Sequence, residues 1–264
     1  MKLEKKLFFL FTAIAMISCN DNQTDNHRIN SYPMTIGSTW TYDRTITDNY
    51  YKSLTSDSIV SSDTLTFEGT TWIEKDTIIN KSKVMVFKSN ENDFSQTVTT
   101  TNYQLIDNDG LKLLANSYSG YMLYSSAKKS FIKSTFYVSN KGKMNSQSQL
   151  NSGVYVFSTP VLSIKYPLTS TSEWTSVYAL NIDKKVIGTD TLHINGHEYI
   201  CFKVLWKYPE GSGYTIKVTE WIAKEGILKR ETNFGTMYTI DEHGDSLNKF
   251  ESIECMKIKS VSIK

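Results

Sequence analysis

The sequence predicts an all-β protein, a curved antiparallel sheet or half-open β-barrel with meander topology. Three observations carry that expectation. Aromatic residues make up 12% of the chain, with sixteen Tyr against only four Pro, and aromatic and β-branched residues fit the pleated surface of strands. Runs of alternating Thr, Tyr, Val and Ile are punctuated by Gly, Asn and Asp, which is the period-two pattern of half-buried strands separated by turns. No stretch of the presumed folded body carries the apolar stripe of an amphipathic helix.

Two segments of different character precede the strands. Lys2, Lys5 and Lys6 lead into an apolar run from Leu7 to Ile17, followed by Ser18 and Cys19. This is the order of an export signal. Eleven helical residues reach only about 16 Å, short of the ~30 Å hydrocarbon core, so residues 1–18 are expected to be cut off rather than to span. Residues 19–32 are polar, rich in Asn and Asp, and aperiodic, and are expected to form a flexible tether. A single β domain is then expected over 33–264.

Within that domain the alternation predicts strands over Thr39 to Tyr51, Ser62 to Glu68, Thr70 to Ile79, Lys83 to Lys88, Phe94 to Ile106, Leu111 to Ala115 and Tyr121 to Tyr124. It continues over Phe131 to Val138, Val154 to Phe157, Leu162 to Tyr166, Trp174 to Asn181, Lys185 to Ile194, Glu198 to Tyr208 and Tyr214 to Ala223. The last strands are Ile227 to Phe234, Thr236 to Asp241 and Asn248 to Ile258. Asn195-Gly196, Asp109-Gly110 and His243-Gly244 have two-residue hairpin chemistry. The stretch from Asp76-Thr77-Ile78 to Phe87-Lys88 resembles that from Asp190-Thr191-Leu192 to Phe202-Lys203 with one gap. This is either a duplicated hairpin in a pseudo-symmetric sheet or the product of shared turn and strand propensities.

Charge narrows the partners. Removing residues 1–18 deletes three Lys and one Glu, which leaves 26 basic and 26 acidic residues. A neutral chain has no global footprint for nucleic acid. The charge is unevenly spread, with seven Lys and no acid from Gly110 to Ser172. Those lysines either face an anionic headgroup or glycan or guard exposed edges against aggregation.

Candidate chemistry is sparse. The chain has four His. His193 and His197 flank the Asn195-Gly196 turn, and a two-residue turn there points their rings to opposite faces, a poor chelate. No metal or cofactor is therefore expected. With no evident nucleophile and base the protein is read as non-enzymatic, and a glycoside hydrolase would need two carboxylates facing each other across a cleft. Cys201 and Cys255 are either a disulfide, contributing about 4 kcal/mol through chain entropy, or two buried thiols.

Five Asp-Ser/Thr-apolar triplets place Ser58, Thr64, Thr77, Thr191 and Ser246 after Asp. They resemble the acceptor sequence for O-glycosylation of exported Bacteroidota proteins, and they equally fit a turn ending in Asp before a strand.

Met16-Ile17-Ser18-Cys19 resembles the lipobox of bacterial lipoproteins. The resemblance implies a thioether-linked diacylglyceryl group on Cys19 and anchoring in the outer membrane, and two or more acyl chains such as palmitate hold stably. Tyr32-Pro33-Met34-Thr35-Ile36-Gly37-Ser38-Thr39-Trp40-Thr41-Tyr42, the stretch Asp190 to Val204, and Thr219-Glu220-Trp221-Ile222-Ala223-Lys224-Glu225-Gly226-Ile227-Leu228-Lys229 are similar to the opening and late segments of many Bacteroidota lipoproteins. Related lipoprotein carriers are incomplete barrels that cradle lipid. The resemblance implies a lipid-anchored envelope protein holding an apolar or amphipathic ligand on a concave sheet. The alternative is a surface glycan-binding or adhesion module using Tyr118, Tyr121 and Tyr124 as platforms.

Overall fold

The computed structural model describes residues 27–93, 96–119, 124–125, 131–132, 149–150, 154–177, 181–209, 216–240 and 246–264. The described strands are β1 (Thr39–Tyr51), β2 (Ile59–Ile79), β3 (Ser82–Asp93), β4 (Gln96–Ile106), β5 (Gly110–Ser119), β6 (Tyr124–Ser125), β7 (Phe131–Ile132) and β8 (Gln149–Leu150). They continue as β9 (Val154–Lys165), β10 (Glu173–Val177), β11 (Asn181–Ile194), β12 (His197–Lys207), β13 (Lys217–Ala223), β14 (Gly226–Ile240) and β15 (Ser246–Ser262). One antiparallel sheet runs in the order β10-β11-β12-β13-β14-β15-β1-β2-β3-β4-β5-β9-β8, with β6 and β7 paired apart. This is the expected all-β meander.

The sheet curls until β9 approaches β10. No ladder joins them, but Lys184 Nζ on β11 donates to Ser163 O on β9 at 3.0 Å, and Lys165 Nζ donates to Glu173 O at 3.3 Å. Leu111, Ile164, Trp174, Val186, Val204 and Ile222 form one buried cluster. They come from β5, β9, β10, β11, β12 and β13, so that cluster is the barrel interior. The result is a barrel left unzipped along one seam.

A register of repeats runs through this sheet. Tyr32-Pro33-Met34-Thr35-Ile36-Gly37-Ser38-Thr39-Trp40-Thr41 leads into β1, and Tyr166-Pro167-Leu168-Thr169-Ser170-Thr171-Ser172-Glu173-Trp174-Thr175 leads into β10 with Tyr, Pro, Thr, Ser, Trp and Thr at identical spacing. The backbone repeats as well. Ser38 N donates to Thr35 O at 3.1 Å and Ser172 N to Thr169 O at 3.1 Å, while Ser38 O accepts from Ile73 N at 3.0 Å and Ser172 O from Val186 N at 2.9 Å. The hairpins β2-β3 and β11-β12 then occupy matching places, each closed by a two-residue turn with both residues at positive φ, Asn80-Lys81 and Asn195-Gly196. Apart from the two-residue β8 at its edge, the sheet divides into two six-stranded units, β1 to β5 with β9 and β10 to β14 with β15. The two resembling hairpins thus lie at matching places in the two halves.

Several expectations change. Residues 27–32, expected in the tether, belong to the barrel: Ile29 is buried and exchanges hydrogen bonds with Leu168 at 3.1 and 2.8 Å. Ile29 and Tyr32 are apolar enough to be drawn into the core clusters. Residues 1–26, with the signal segment, Cys19 and the rest of the tether, lie outside the described residues. Gly69 and Gly235 do not end strands. Gly69 pairs with Tyr42 and Glu91 in mid-sheet, and Gly235 sits in a bulge of β14 at φ 72°. The Asp109-Gly110 turn moves back one residue, because the Asp107 carboxylate accepts from Asp109 N at 3.0 Å and Gly110 N at 3.3 Å while Asp107 N donates to Gly110 O at 3.1 Å. His243-Gly244 lies outside the described residues.

The two ends of the barrel differ. The turns at Asn80-Lys81, Asn108-Asp109, Asn195-Gly196 and Lys224-Glu225 and both Tyr-Pro segments share one end. Tyr32 packs there on Trp40 and Phe87, with ring centroids 5.7 and 6.1 Å apart. The connections that follow β1, β5, β12 and β14 all leave from the other end.

Candidate functional site: a charged belt inside the barrel

Strand alternation puts one face of each strand inside. On β1 the buried residues are Trp40, Tyr42, Arg44, Ile46 and Asp48, every second position. Cross-strand pairing extends Arg44 into a belt: Glu220 on β13 pairs with Arg230 on β14, Arg230 with Met256 on β15, Met256 with Arg44, and Arg44 with Phe67 on β2. One step toward the long-connection end, a second row runs from Lys184 through Trp206, Val218, Thr232, Glu254 and Ile46 to Leu65. Charges therefore point inward.

Glu220 is the hub. Its side chain is 1% exposed, and it accepts from Arg230 Nε at 2.9 Å, from Arg230 Nη2, and from Trp206 Nε1 at 2.9 Å. Lys184 Nζ stands 3.7 Å from it and 3.9 Å from the Trp206 ring centre. Burial alone would raise the Glu220 carboxyl, but Lys184 and Arg230, with the hydrogen bonds from Trp206 and Arg230, hold it below the ordinary carboxylate value. Burial lowers Lys184 to about 8, against the pull of Glu220. Such a network costs desolvation on every member, and removing one partner of a buried pair costs about 3–5 kcal/mol.

Arg44 binds Glu254 through both nitrogens of its fork, at 2.8 and 2.9 Å, the planar two-point pairing that suits guanidinium to carboxylate. Three cations, Lys184, Arg230 and Arg44, thus share two carboxylates. One row further toward the mouth, Asp48 faces Asp63 across β1 and β2, and burial raises the Asp48 carboxyl.

Among the belt's charged side chains Arg230 is the most exposed. Arg230 has a side chain 34% exposed although it points inward. Leu65 and Phe67, on the inward face of β2, are half-buried while the alternate residues Thr64, Thr66 and Glu68 are exposed. Leu54, Ile59, Val60, Tyr238 and Leu247, on adjoining strands and loops at that same end, are exposed apolar residues.

The residues singled out from sequence lie elsewhere. His193 and His197 fall on opposite faces of the hairpin tip, as the register Ile194 with His197 and His193 with Glu198 requires. Cys201 and Cys255 are free thiols on strands separated by β13 and β14. Three strand steps of about 4.8 Å are too far for a disulfide, which corrects that alternative. Burial pushes the Cys201 thiol up to about 12. Ser58, Thr64, Thr191 and Ser246 are exposed and Thr77 is half-buried. The side chains of Tyr118, Tyr121 and Tyr124 are outside the described residues, as are five of the seven lysines between Gly110 and Ser172. Of the other two, Lys112 bridges Asp107 and Asp109 at 2.7 Å each, and Lys165 reaches the seam.

No family model matches the chain, and no curated protein sequence matches it. Two solved structures match by fold search. A candidate lipoprotein of Parabacteroides distasonis is 9% identical, with a TM-score of 0.32 over 89% of this chain and 100% of that one. A candidate exported protein with a YmcC-like fold from Bacteroides fragilis is 11% identical, with a TM-score of 0.30 over 89% of this chain and 99% of that one.

Proposed function

We propose that the protein is a non-enzymatic lipoprotein of the cell envelope, anchored in the outer membrane by acylated Cys19, whose half-open barrel holds an apolar or amphipathic ligand. The observation that carries the ligand reading is the inward face of β2, where Leu65 and Phe67 remain half-accessible beside buried Arg44 and Ile46. A closed core would bury them, whereas a binding cleft combines apolar walls with a few placed polar groups. Titrating the protein with dodecanol while following tryptophan fluorescence and the heat of binding tests this. Saturable binding of about one molecule per chain supports it, and no spectral or calorimetric response contradicts it.

The anchor rests on the lipobox resemblance of Met16 to Cys19. Intact mass from the native host carries a diacylglyceryl increment on a chain beginning at Cys19 if the reading holds, and Cys19→Ala leaves the protein in the soluble fraction. Exposure of Ser58, Thr64, Thr191 and Ser246 supports O-glycosylation at the Asp-Ser/Thr-apolar triplets. A mass without hexose increments from that host counts against it.

A further inference from the structure

We infer that the charged belt receives the anionic head of an amphiphile, a carboxylate or a phosphate monoester, on the Arg230 guanidinium, with the tail running toward the long-connection end. This rests on the reading of the lumen as a ligand site and adds the polarity and direction of what fills it.

Charge is the first argument. Lys184 and Arg230 share the one carboxylate of Glu220 in a protein interior, two cations against one anion at that point of the belt. A buried unmatched cation is costly, and an anion drawn beside it relieves the cost.

Geometry then singles out Arg230. Glu220 occupies its Nε and Nη2, while Nη1 takes no partner among the described residues. Glu220 itself is fully engaged by Arg230, Trp206 and Lys184 and is 1% exposed, whereas the Arg230 side chain is 34% exposed. The arginine is held rigidly on one side and open on the other, which is the preorganisation that charge-assisted recognition of an oxyanion uses. Arg44 is different, since Glu254 takes both arms of its fork and its side chain is 8% exposed.

The surroundings set the direction. Met256, Phe67 and Leu65 continue the same inward face across and above Arg230 and are half-buried. The opposite direction is filled by Tyr32, Tyr42 and Trp40. A head at Arg230 therefore leaves the tail only the mouth side.

The test is a calorimetric titration of the whole protein at neutral pH with laurate, dodecyl phosphate and dodecanol, which share a C12 tail. One charge-assisted contact predicts that at least one anion binds about tenfold or more tighter than dodecanol, and the tighter of the two identifies carboxylate or phosphate. Arg230→Gln should erase that preference while dodecanol affinity stays within about twofold, and Arg230→Lys should restore part of it. Equal binding of dodecanol and both anions overturns the head site and leaves the lumen reading standing, as does a preference that survives Arg230→Gln. If none of the three binds, both fall. Should Arg230→Gln not fold, the wild-type ratio of anion to alcohol decides alone.

Discussion

Trp40 and Trp174 hold the same place in the two halves of the barrel, yet they meet different neighbours. Trp40 donates its indole N–H to Glu225 O at 2.6 Å, and Tyr42 beside it donates to Ile227 O at 3.3 Å. Trp174 Nε1 is buried without a hydrogen-bond partner among the described residues, as is the hydroxyl of Tyr166, and Lys184 lies 6.0 Å from the Trp174 ring. The contrast extends to the belt. Counted from its turn, Glu220 sits three residues before Ala223, where β4 has Gln104 three before Asp107. The inward charges gather on β11, β13, β14, β15 and β1, while β4 presents neutral Gln104 at the place Glu220 takes on β13. A fold needs only one kind of interior, so the strands that carry the belt are where function is expected.

The comparison can be broken most severely at the two glycines that open β5 and β14. Both hold positive φ, 148° at Gly110 and 114° at Gly226, but a Cβ on Gly110 would lie 2.0 Å from Ile164 O, whereas one on Gly226 would meet the Tyr32 hydroxyl at 2.7 Å. Backbone cannot yield as a side chain can, so Gly110→Ala should cost about 4 kcal/mol or more and Gly226→Ala about half that. Chemical denaturation of the two variants gives the order.

Charge comes next. Glu220→Gln should cost about 3–5 kcal/mol because Lys184 and Arg230 lose their shared counterion, while Gln104→Leu should cost less than about 1.5 kcal/mol. The pH dependence has a definite sign. The Glu220 carboxyl is held below 4.5, so its contribution is complete above that pH and lost on acidification through the folded value. The stability gap between wild type and Glu220→Gln should narrow accordingly. Lys184 lies at about 8 folded against 10.5 unfolded, so the unfolded chain binds more protons between these values. Wild-type stability relative to Lys184→Met should rise through that window.

The smallest effects concern the paired aromatics. Trp40→Phe forfeits a hydrogen bond that Trp174→Phe does not, so the first should be costlier by about 1 kcal/mol. Tyr166→Phe removes only an unpartnered hydroxyl and should be neutral or slightly stabilising. Thermal unfolding of the three variants resolves the order.

Much of this scaffold can be read from the chain. Thr39 to Tyr51 is a strand because its alternation is unbroken, and Asn195-Gly196 closes its hairpin because both residues tolerate positive φ. Where Gly interrupted the alternation, at Gly69 and Gly235, neighbouring strands on both sides carried the ladder through. The belt went unread because inward charges look like surface charges one at a time. A signal was present all the same: Arg44 is in phase with Trp40, Tyr42 and Ile46, Glu220 with Val218 and Ile222, and Lys184 with Ile182 and Val186. A charge in phase with the apolar face of a strand is an interior charge. The Tyr-Pro repeat was equally visible, but it spans a turn and a strand start, where patterning by periodicity is blind.

Amide hydrogen exchange with and without saturating laurate tests the contrast between the belt strands and the rest of the sheet most directly. The account predicts new protection on β13, β14, β15 and β1, around Glu220, Arg230, Glu254 and Arg44, with little on β4, β5 and β10. Equal protection of β4, β5 and β10, or none on the belt strands, would contradict it.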